Sequence, residues 1–294
     1  MGYFLMILAT FIWGAGFVGT RWTLEEYTPY WSNGLRLLFA GIIATPFILW
    51  KFKQMPWKIG FVASALLYLG LHFQTLGISI TSLAKSGFFT VFYAIFTPLL
   101  VAIFTKQSFR KSYWLLLLIA MIGIALLCDL DWQNFNRGDF FVIVSALLFS
   151  FHILWIDRHA NTLKALDFNL LQCFLMGIIG VVCGTLLYGF PSLGPLAYDI
   201  GSLSPSPLNG FLILSIFSSL LAFSIQVSAQ KMLKAHIVSL IFLLESVFAA
   251  AFGYIAFDET LNTKGILGCF LVLVSVALIP WATNPRKRKV KSSL

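Results

Sequence analysis

Ten apolar runs of about 20 residues, separated by short polar loops, constrain this chain more than any other feature. They lie near Tyr3–Thr20, Tyr30–Trp50, Lys58–Ile78, Ala84–Thr105, Ser112–Leu127, Asp139–Ile156, Phe168–Phe190, Asn209–Gln230, His236–Phe257 and Gly265–Ala282. Each is of a length to cross a bilayer as a helix. The runs are continuous rather than alternating, and backbone groups in lipid must bond within their own segment, so helices are predicted instead of a barrel. With 59% of its 294 residues hydrophobic and 11% charged, the chain lacks the polar surface to coat a water-soluble globule. The apolar content excludes disorder, and the lack of charge-flanked heptads excludes a coiled coil. The first run starts at Tyr3 with no basic leader, which predicts a retained span and not a removed signal peptide.

The net charge of +9 does not point to a nucleic-acid partner. Arg286, Lys287, Arg288, Lys289 and Lys291 form one short tail, and the other cations punctuate the span ends, a pattern of membrane topology. One set of loops carries Lys51, Lys53, Lys58, Lys106, Arg110, Lys111, Arg158, Lys164, Lys231, Lys234 and the tail, fifteen cations in all. The other set carries Arg21, Lys85, Arg137 and Lys264. The imbalance alternates loop by loop, so both termini are predicted to be cytoplasmic in an inner (plasma) membrane. Glu25, Glu26, Asp129, Asp131, Asp139, Asp258 and Glu259 fall on the opposite side. The long loop Pro191–Pro207 is then external, as a lid or a linker.

An even number of spans invites a search for halves. The fourth span opens with Thr81-Ser-Leu-Ala-Lys-Ser and the ninth with Ala235-His-Ile-Val-Ser-Leu, each from a short polar hinge. The fifth and tenth match as Ile122-Gly-Ile-Ala-Leu-Leu against Val274-Ser-Val-Ala-Leu-Ile. Five is odd, so the second half would enter the membrane upside down relative to the first. The expected fold is an all-α polytopic membrane protein of ten transmembrane helices in two inverted five-helix repeats, residues 1–130 and 131–285, with a basic cytoplasmic tail at 286–294. Such repeats place a binding site at mid-membrane between them.

The chain resembles the drug/metabolite transporter superfamily, specifically its ten-helix EamA-type exporters. Trp13-Gly14 with Phe17, Pro29, Leu35-Arg36-Leu-Leu-Phe-Ala40, Thr81-Ser82 and Pro98-Leu99-Leu100 carry the resemblance in the first half. Ala229-Gln230-Lys231, Glu245-Ser246-Val247-Phe248-Ala249 and Asp258-Glu259-Thr260-Leu261 carry it in the second. The chain departs from the family pattern at Ser246, where proline is usual, and at Gln107-Ser-Phe-Arg, where an acid is usual. The resemblance implies a carrier that works by alternating access, often exporting amino acids or related small metabolites.

Polar groups at membrane depth are costly and face a cavity or one another. Ser86, Thr90, Tyr93 and Thr97 share one helical face, as do Tyr68, His72 and Thr75; Ser145, Phe149 and His152; Thr10, Trp13, Phe17 and Thr20; and, nearly so, Ser215, Ser219 and Gln226. Stripes on several spans point to a hydrated central cavity, although a lone Ser or Thr is more often interhelical glue. Glu245 stands nearest the middle of its span, where it can meet an ammonium group or carry a proton, or instead form a structural hydrogen bond. Arg36 lies about 9 Å inside its span, placed for a gate, an ion pair with Glu25 or Glu26, or a substrate carboxylate. The candidate substrate-binding residues are Trp13, Phe17, Tyr68, His72, Phe89, Tyr93, His152, Trp155, Gln226, Phe242 and Glu245, with Arg36 as gate or ion pair.

Other signals fall away. Gly14-Ala-Gly16-Phe-Val-Gly19 spells a dinucleotide fingerprint inside an apolar helix with no preceding strand, so close helix packing is expected there, as at Gly177, Gly180 and Gly184. Cys128, Cys173, Cys183 and Cys269 have no metal or disulfide spacing. Neither a cofactor nor a Walker sequence is implied, so energy would come from a gradient. The expectation is a secondary or facilitative carrier of small metabolites, amino acids first, with quaternary ammonium compounds or nucleotide-sugar-like molecules as the alternative. An intramembrane enzyme would need a catalytic pair, and only isolated candidates exist. The expected partners are a small-molecule substrate and the lipid bilayer, and nothing in the sequence requires a second copy.

Overall fold

The computed structural model describes residues 1–129, 135–197 and 205–283, and these are helical with no strand. The basic tail, Asp131 and the centre of the Pro191–Pro207 loop lie outside the described residues. In chain order the helices are α1 (Gly2–Leu24), α2 (Pro29–Trp50), α3 (Trp57–Ile78), α4 (Leu83–Thr90), α5 (Tyr93–Thr105), α6 (Lys111–Leu127), α7 (Arg137–His159), α8 (Ala165–Tyr188) and the short α9 (Gly194–Ala197). There follow α10 (Pro207–Leu212), the π-helical segment Ile213–Ala222, α11 (Phe223–Gln230), α12 (Ala235–Ile241), α13 (Leu244–Phe257), α14 (Thr263–Ala277) and the short α15 (Ile279–Thr283). Among the described residues eight spans are long and apolar enough to cross a membrane, counting α4 with α5, α10 with α11, and α12 with α13 as one each. The apolar helices α6 and α14 are shorter, at about 25 and 22 Å.

Helix ends divide by side of the bundle. At the end holding the α1 C-terminus, α2, α4, α7, α10 and α14 start from Thr28, Ser82, Asn136, Ser206 and Asn262, each accepting a backbone N–H through its side chain. Asn136 and Asp139 close a full capping box. At the opposite end, α1, α3, α6, α8 and α12 start from Met1, Pro56, Arg110, Lys164 and Lys234, none of which caps through its side chain. Cations at a helix N-terminus oppose the macrodipole, so the basic residues there serve something other than helix stability.

Small residues set the helix crossings. α2 packs on α8, α3 on α7, α6 on α14, and α1 on α13 and the π segment. Four crossings are glycine on glycine: Gly34 with Gly180, Gly123 with Gly268, Gly77 with Gly138, and Gly19 with Gly210. A Cβ added at Gly180 would sit 3.1 Å from the Gly34 Cα, and one at Gly210 would sit 2.7 Å from the Gly19 carbonyl. Helix association in lipid depends on such close approach, because the tails are as apolar as leucine. Gly14 and Gly16 likewise admit Phe248 and Ser218, which accounts for the fingerprint glycines by packing. Large side chains such as Ile103, Leu186, Ile255 and Phe270 point outward, as a lipid-facing surface requires.

Besides a break at Leu278 ahead of Pro280, between α14 and α15, the backbone departs from the uninterrupted runs read in the sequence at three places. The fourth span breaks at Val91–Phe92 and the ninth at Phe242–Leu243, while the eighth passes through ten π-helical residues. None of these contains Pro or Gly.

Candidate functional site

These three interruptions border one cavity of about 80 Å³. α1 contributes Trp13, Gly16, Phe17 and Thr20, and α2 contributes Arg36. Leu67, Leu71, Gln74 and Ile78 come from α3, Thr90 and Tyr93 from the first break, and Phe149, His152 and Ile153 from α7. Leu214, Ser218, Phe223 and Gln226 come from the eighth span, and Phe242 and Glu245 from the second break. The lining reaches Thr20 and Ile78, near the C-terminal ends of α1 and α3. At the opposite end the helices are tied together. Gln226 donates to Gln230 Oε1 at 2.9 Å, Gln230 donates to the Ile153 carbonyl at 2.9 Å, and the Asp157 carboxylate takes the Ala235 N–H at 2.9 Å.

The two breaks touch. Tyr93, the first residue of α5, places its hydroxyl 3.0 Å from the Phe242 carbonyl oxygen and 3.4 Å from Glu245 Oε2. Ser150 is 3.4 Å from the Tyr93 carbonyl. Carbonyl oxygens at the two breaks thus also take hydroxyl donors from neighbouring helices, the Phe242 oxygen accepting the Glu245 N–H at 2.9 Å as well, which braces such backbone at membrane depth. Trp13 packs edge-on against Phe242 at 5.1 Å and tilted against Phe223 at 4.9 Å, giving the cavity an aromatic wall beside Glu245.

The π segment is held in the same way. Trp13 Nε1 donates to the Ser218 carbonyl at 3.2 Å. Asn169 Nδ2 lies 3.0 Å from the Ser219 carbonyl, 2.8 Å from the Leu220 carbonyl and 3.0 Å from Ser224 Oγ. Arg36 lies 3.3 Å from Ser219 Oγ through Nη2, and its Nε has no partner among the described residues.

Seven of the eleven candidate substrate-binding residues border this cavity: Trp13, Phe17, Tyr93, His152, Gln226, Phe242 and Glu245. Arg36 joins them and forms no ion pair among the described residues, so the pairing with Glu25 or Glu26 is not made. Its side chain turns inward to Ser219, and at that end Arg21 meets Glu259 at 2.6 Å and Lys85 meets Asp139 at 3.6 Å. Tyr68 and His72 lie one position away from the lining face of α3, with His72 against Tyr30 at 4.2 Å. Phe89 packs with Phe88, Phe92 and Phe135, and Trp155 donates to the Ile59 carbonyl at 3.0 Å. Gln74, which donates to Thr90 at 3.2 Å, and Ser218 are lining residues that the sequence stripes missed. Ser218 had no helical signal because the π turns shift the lining face to spacings of four, five and three residues through Leu214, Ser218, Phe223 and Gln226.

Fold and cavity define a polytopic helical membrane protein with a cavity between its helices. Comparison with known proteins makes the class specific: the sequence profile of the EamA-like transporter family matches residues 1–128 and 136–281. The chain therefore belongs to that family, in the drug/metabolite transporter superfamily. It is 27% identical over 275 residues to an uncharacterized transporter of Archaeoglobus fulgidus, covering 93% of this chain and 84% of that protein. It is 22% identical over 259 residues to the S-adenosylmethionine uptake transporter of Rickettsia bellii, covering 86% and 84%. A crystal structure at 15% identity superposes with a TM-score of 0.78 over 96% of this chain and 97% of the other, a likeness of fold.

Proposed function

We propose that this transporter moves small metabolites bearing an ammonium group, amino acids first, by alternating access and without ATP, with export as the net direction that the resemblance implies. The observation that carries the reading is Glu245, set in a cavity that Trp13, Tyr93, Phe223 and Phe242 also line. A carboxylate among aromatic faces suits a cation with an apolar side chain. The relative named for S-adenosylmethionine uptake fits this chemistry, since that compound carries an α-amino-acid end.

The same reading takes α6 and α14 as spans, for ten in all, arranged as two inverted repeats at 1–130 and 131–285. Exchange of each helix with the one five spans later leaves the packing pattern unchanged: α2 on α8 and α6 on α14 map onto themselves, while α3 on α7 maps onto the eighth span on α1. The two family matches fall one in each half. Each broken span also ends in a left-handed residue, Lys106 at φ 53° and Asp258 at φ 54°. The basic, uncapped helix starts are taken as cytoplasmic, so the protein sits in the inner membrane with its termini inside and its cavity reaching toward the outer face. One copy holds the whole cavity.

The test is counterflow in proteoliposomes loaded with a panel of amino acids and ammonium metabolites, with and without an imposed pH gradient. Exchange of amino acids supports the reading, and gradient dependence separates proton coupling from facilitated exchange. Exchange only of permanent cations such as choline would replace amino acids with quaternary ammonium compounds. A folded protein that moves nothing in the panel would overturn the substrate class.

A further inference from the structure

Three buried polar atoms that border the cavity have no partner among the described residues: Arg36 Nε, Ser218 Oγ and Gln226 Oε1. Two of them lie beside the π segment. Arg36 is 6% exposed and Ser218 1% exposed. A buried guanidinium without an anion is expensive, and so is any polar atom removed from water without a partner. Glu245 borders the same cavity but makes no ion pair with Arg36, so the cavity holds one cation and one anion that are kept apart.

The π segment explains why these donors stay free. Its carbonyls are already occupied, Ser218 by Trp13 and Ser219 and Leu220 by Asn169, so Arg36 reaches a hydroxyl at Ser219 rather than a backbone oxygen. Gly16 leaves room for Ser218, whose Oγ lies 2.7 Å from where a Cβ at position 16 would stand. What remains toward the cavity is a planar fork of N–H donors with a serine hydroxyl on the same segment, a donor set suited to a carboxylate.

We infer that Arg36 and Ser218 form a carboxylate subsite and that the transported species is a zwitterion, held by its carboxylate at the π segment and by its ammonium at Glu245. This rests on the proposed carrier reading and specifies its substrate. Arg36 fixes the anionic end through its two-pronged geometry, so lysine would be a poor replacement. Ser218 adds a hydrogen bond, and Asn169 positions both by holding the π turns.

The experiment is counterflow by the purified wild-type protein with leucine, methionine and phenylalanine, each against its primary amide, which keeps the ammonium and side chain and loses the carboxylate charge. The acids should exchange at least tenfold faster than the amides. In Arg36→Gln that ratio should fall to about one, with amide exchange retained, and Arg36→Lys should restore only part of it. Ser218→Ala should lower acid exchange about threefold to tenfold with little effect on the amides. If Arg36→Gln does not fold, the ratio in the wild type and its change in Ser218→Ala test the same subsite. Amides moving as fast as acids in the wild type would overturn the carboxylate subsite and leave the ammonium carrier standing, as would an unchanged ratio in Arg36→Gln. Exchange of neither acid nor amide would overturn both.

Discussion

Replacing Asn169 by alanine should loosen the π segment, and the structure supplies the magnitude. The amide nitrogen serves three acceptors, the carbonyls of Ser219 and Leu220 and the hydroxyl of Ser224, at 2.8–3.0 Å. It has only two hydrogens, so two bonds' worth of energy is shared among them. Interhelical hydrogen bonds inside membrane proteins average about 0.6 kcal/mol and reach about 1.7, which gives a loss of about 1–3 kcal/mol before any cavity left by the shortened side chain. Some of this is cushioned, because Ser224 also donates to the Leu220 carbonyl at 2.7 Å and the Cys173 thiol lies 3.6 Å from that of Ser219. The expected total is about 2 kcal/mol, read from reversible unfolding in mixed micelles followed by helicity. A cycle with Ser224→Ala should return a coupling near 0.6 kcal/mol. A loss below about 0.5 kcal/mol in Asn169→Ala, with no coupling, would show that the π turns hold themselves and that Asn169 is incidental.

Glu245→Gln should slow exchange of amino acids by tenfold or more while leaving the fold intact, because the ammonium loses its counter-charge; unchanged exchange and unchanged pH dependence would remove Glu245 from the mechanism. Gly180→Leu should cost more than about 2 kcal/mol in the same unfolding assay, since its Cβ would press on the Gly34 backbone across α2 and α8. By contrast, Gly87→Ala should gain about 0.5–1 kcal/mol, for the atom nearest its Cβ is the Cys128 sulfur at 3.9 Å. Arg21→Ala should cost less than about 1 kcal/mol despite the 2.6 Å contact with Glu259, because both side chains are well exposed; a larger loss would show that this pair holds the end of the bundle together.

The helical class was legible because lipid leaves few choices: apolar runs of spanning length become helices, and glycines within them become crossings. Cationic helix starts were legible for the same reason. Arg110, Lys164 and Lys234 occupy positions where Ser, Thr, Asp or Asn would cap better, so the distribution of charge overrides local helix energetics on one side only. Side-chain orientation was harder to read. On α3 the apolar Leu67, Leu71 and Ile78 line the cavity with Gln74, whereas the polar stripe through Tyr68, His72 and Thr75 faces neighbouring helices. A span surrounded on several sides by protein offers more than one face to polar groups, and polarity alone does not say which one is wet.

The interrupted backbone was the least legible part, for a reason that bears on the cavity itself. Proline, the usual local cause of a break, sits here inside continuous helix at Pro46 and Pro98, while Pro280 follows the break at Leu278, which does not border the cavity. The breaks at Val91–Phe92 and Phe242–Leu243 and the π turns at Ile213–Ala222 have no local breaker and are stabilised from a distance, by Tyr93 on Phe242, by Trp13 on Ser218 and by Asn169 across Ser219 and Leu220. The Phe242 carbonyl also accepts the Glu245 N–H at 2.9 Å and the Ser218 carbonyl lies within the π-helical ladder, so these side-chain donors add a second bond that braces the irregular backbone at membrane depth. Trp13 and Tyr93 brace that backbone and wall the cavity at once. The aromatic residues beside the candidate site therefore cannot be assigned to binding from loss of transport alone: removing Trp13 takes away a wall and a brace on the Ser218 carbonyl together. Trp13→Phe separates the two roles, because it keeps an aromatic face and loses the N–H with part of the indole's bulk. Stability that falls while substrate preference holds would place the indole nitrogen with the backbone and the ring with the substrate.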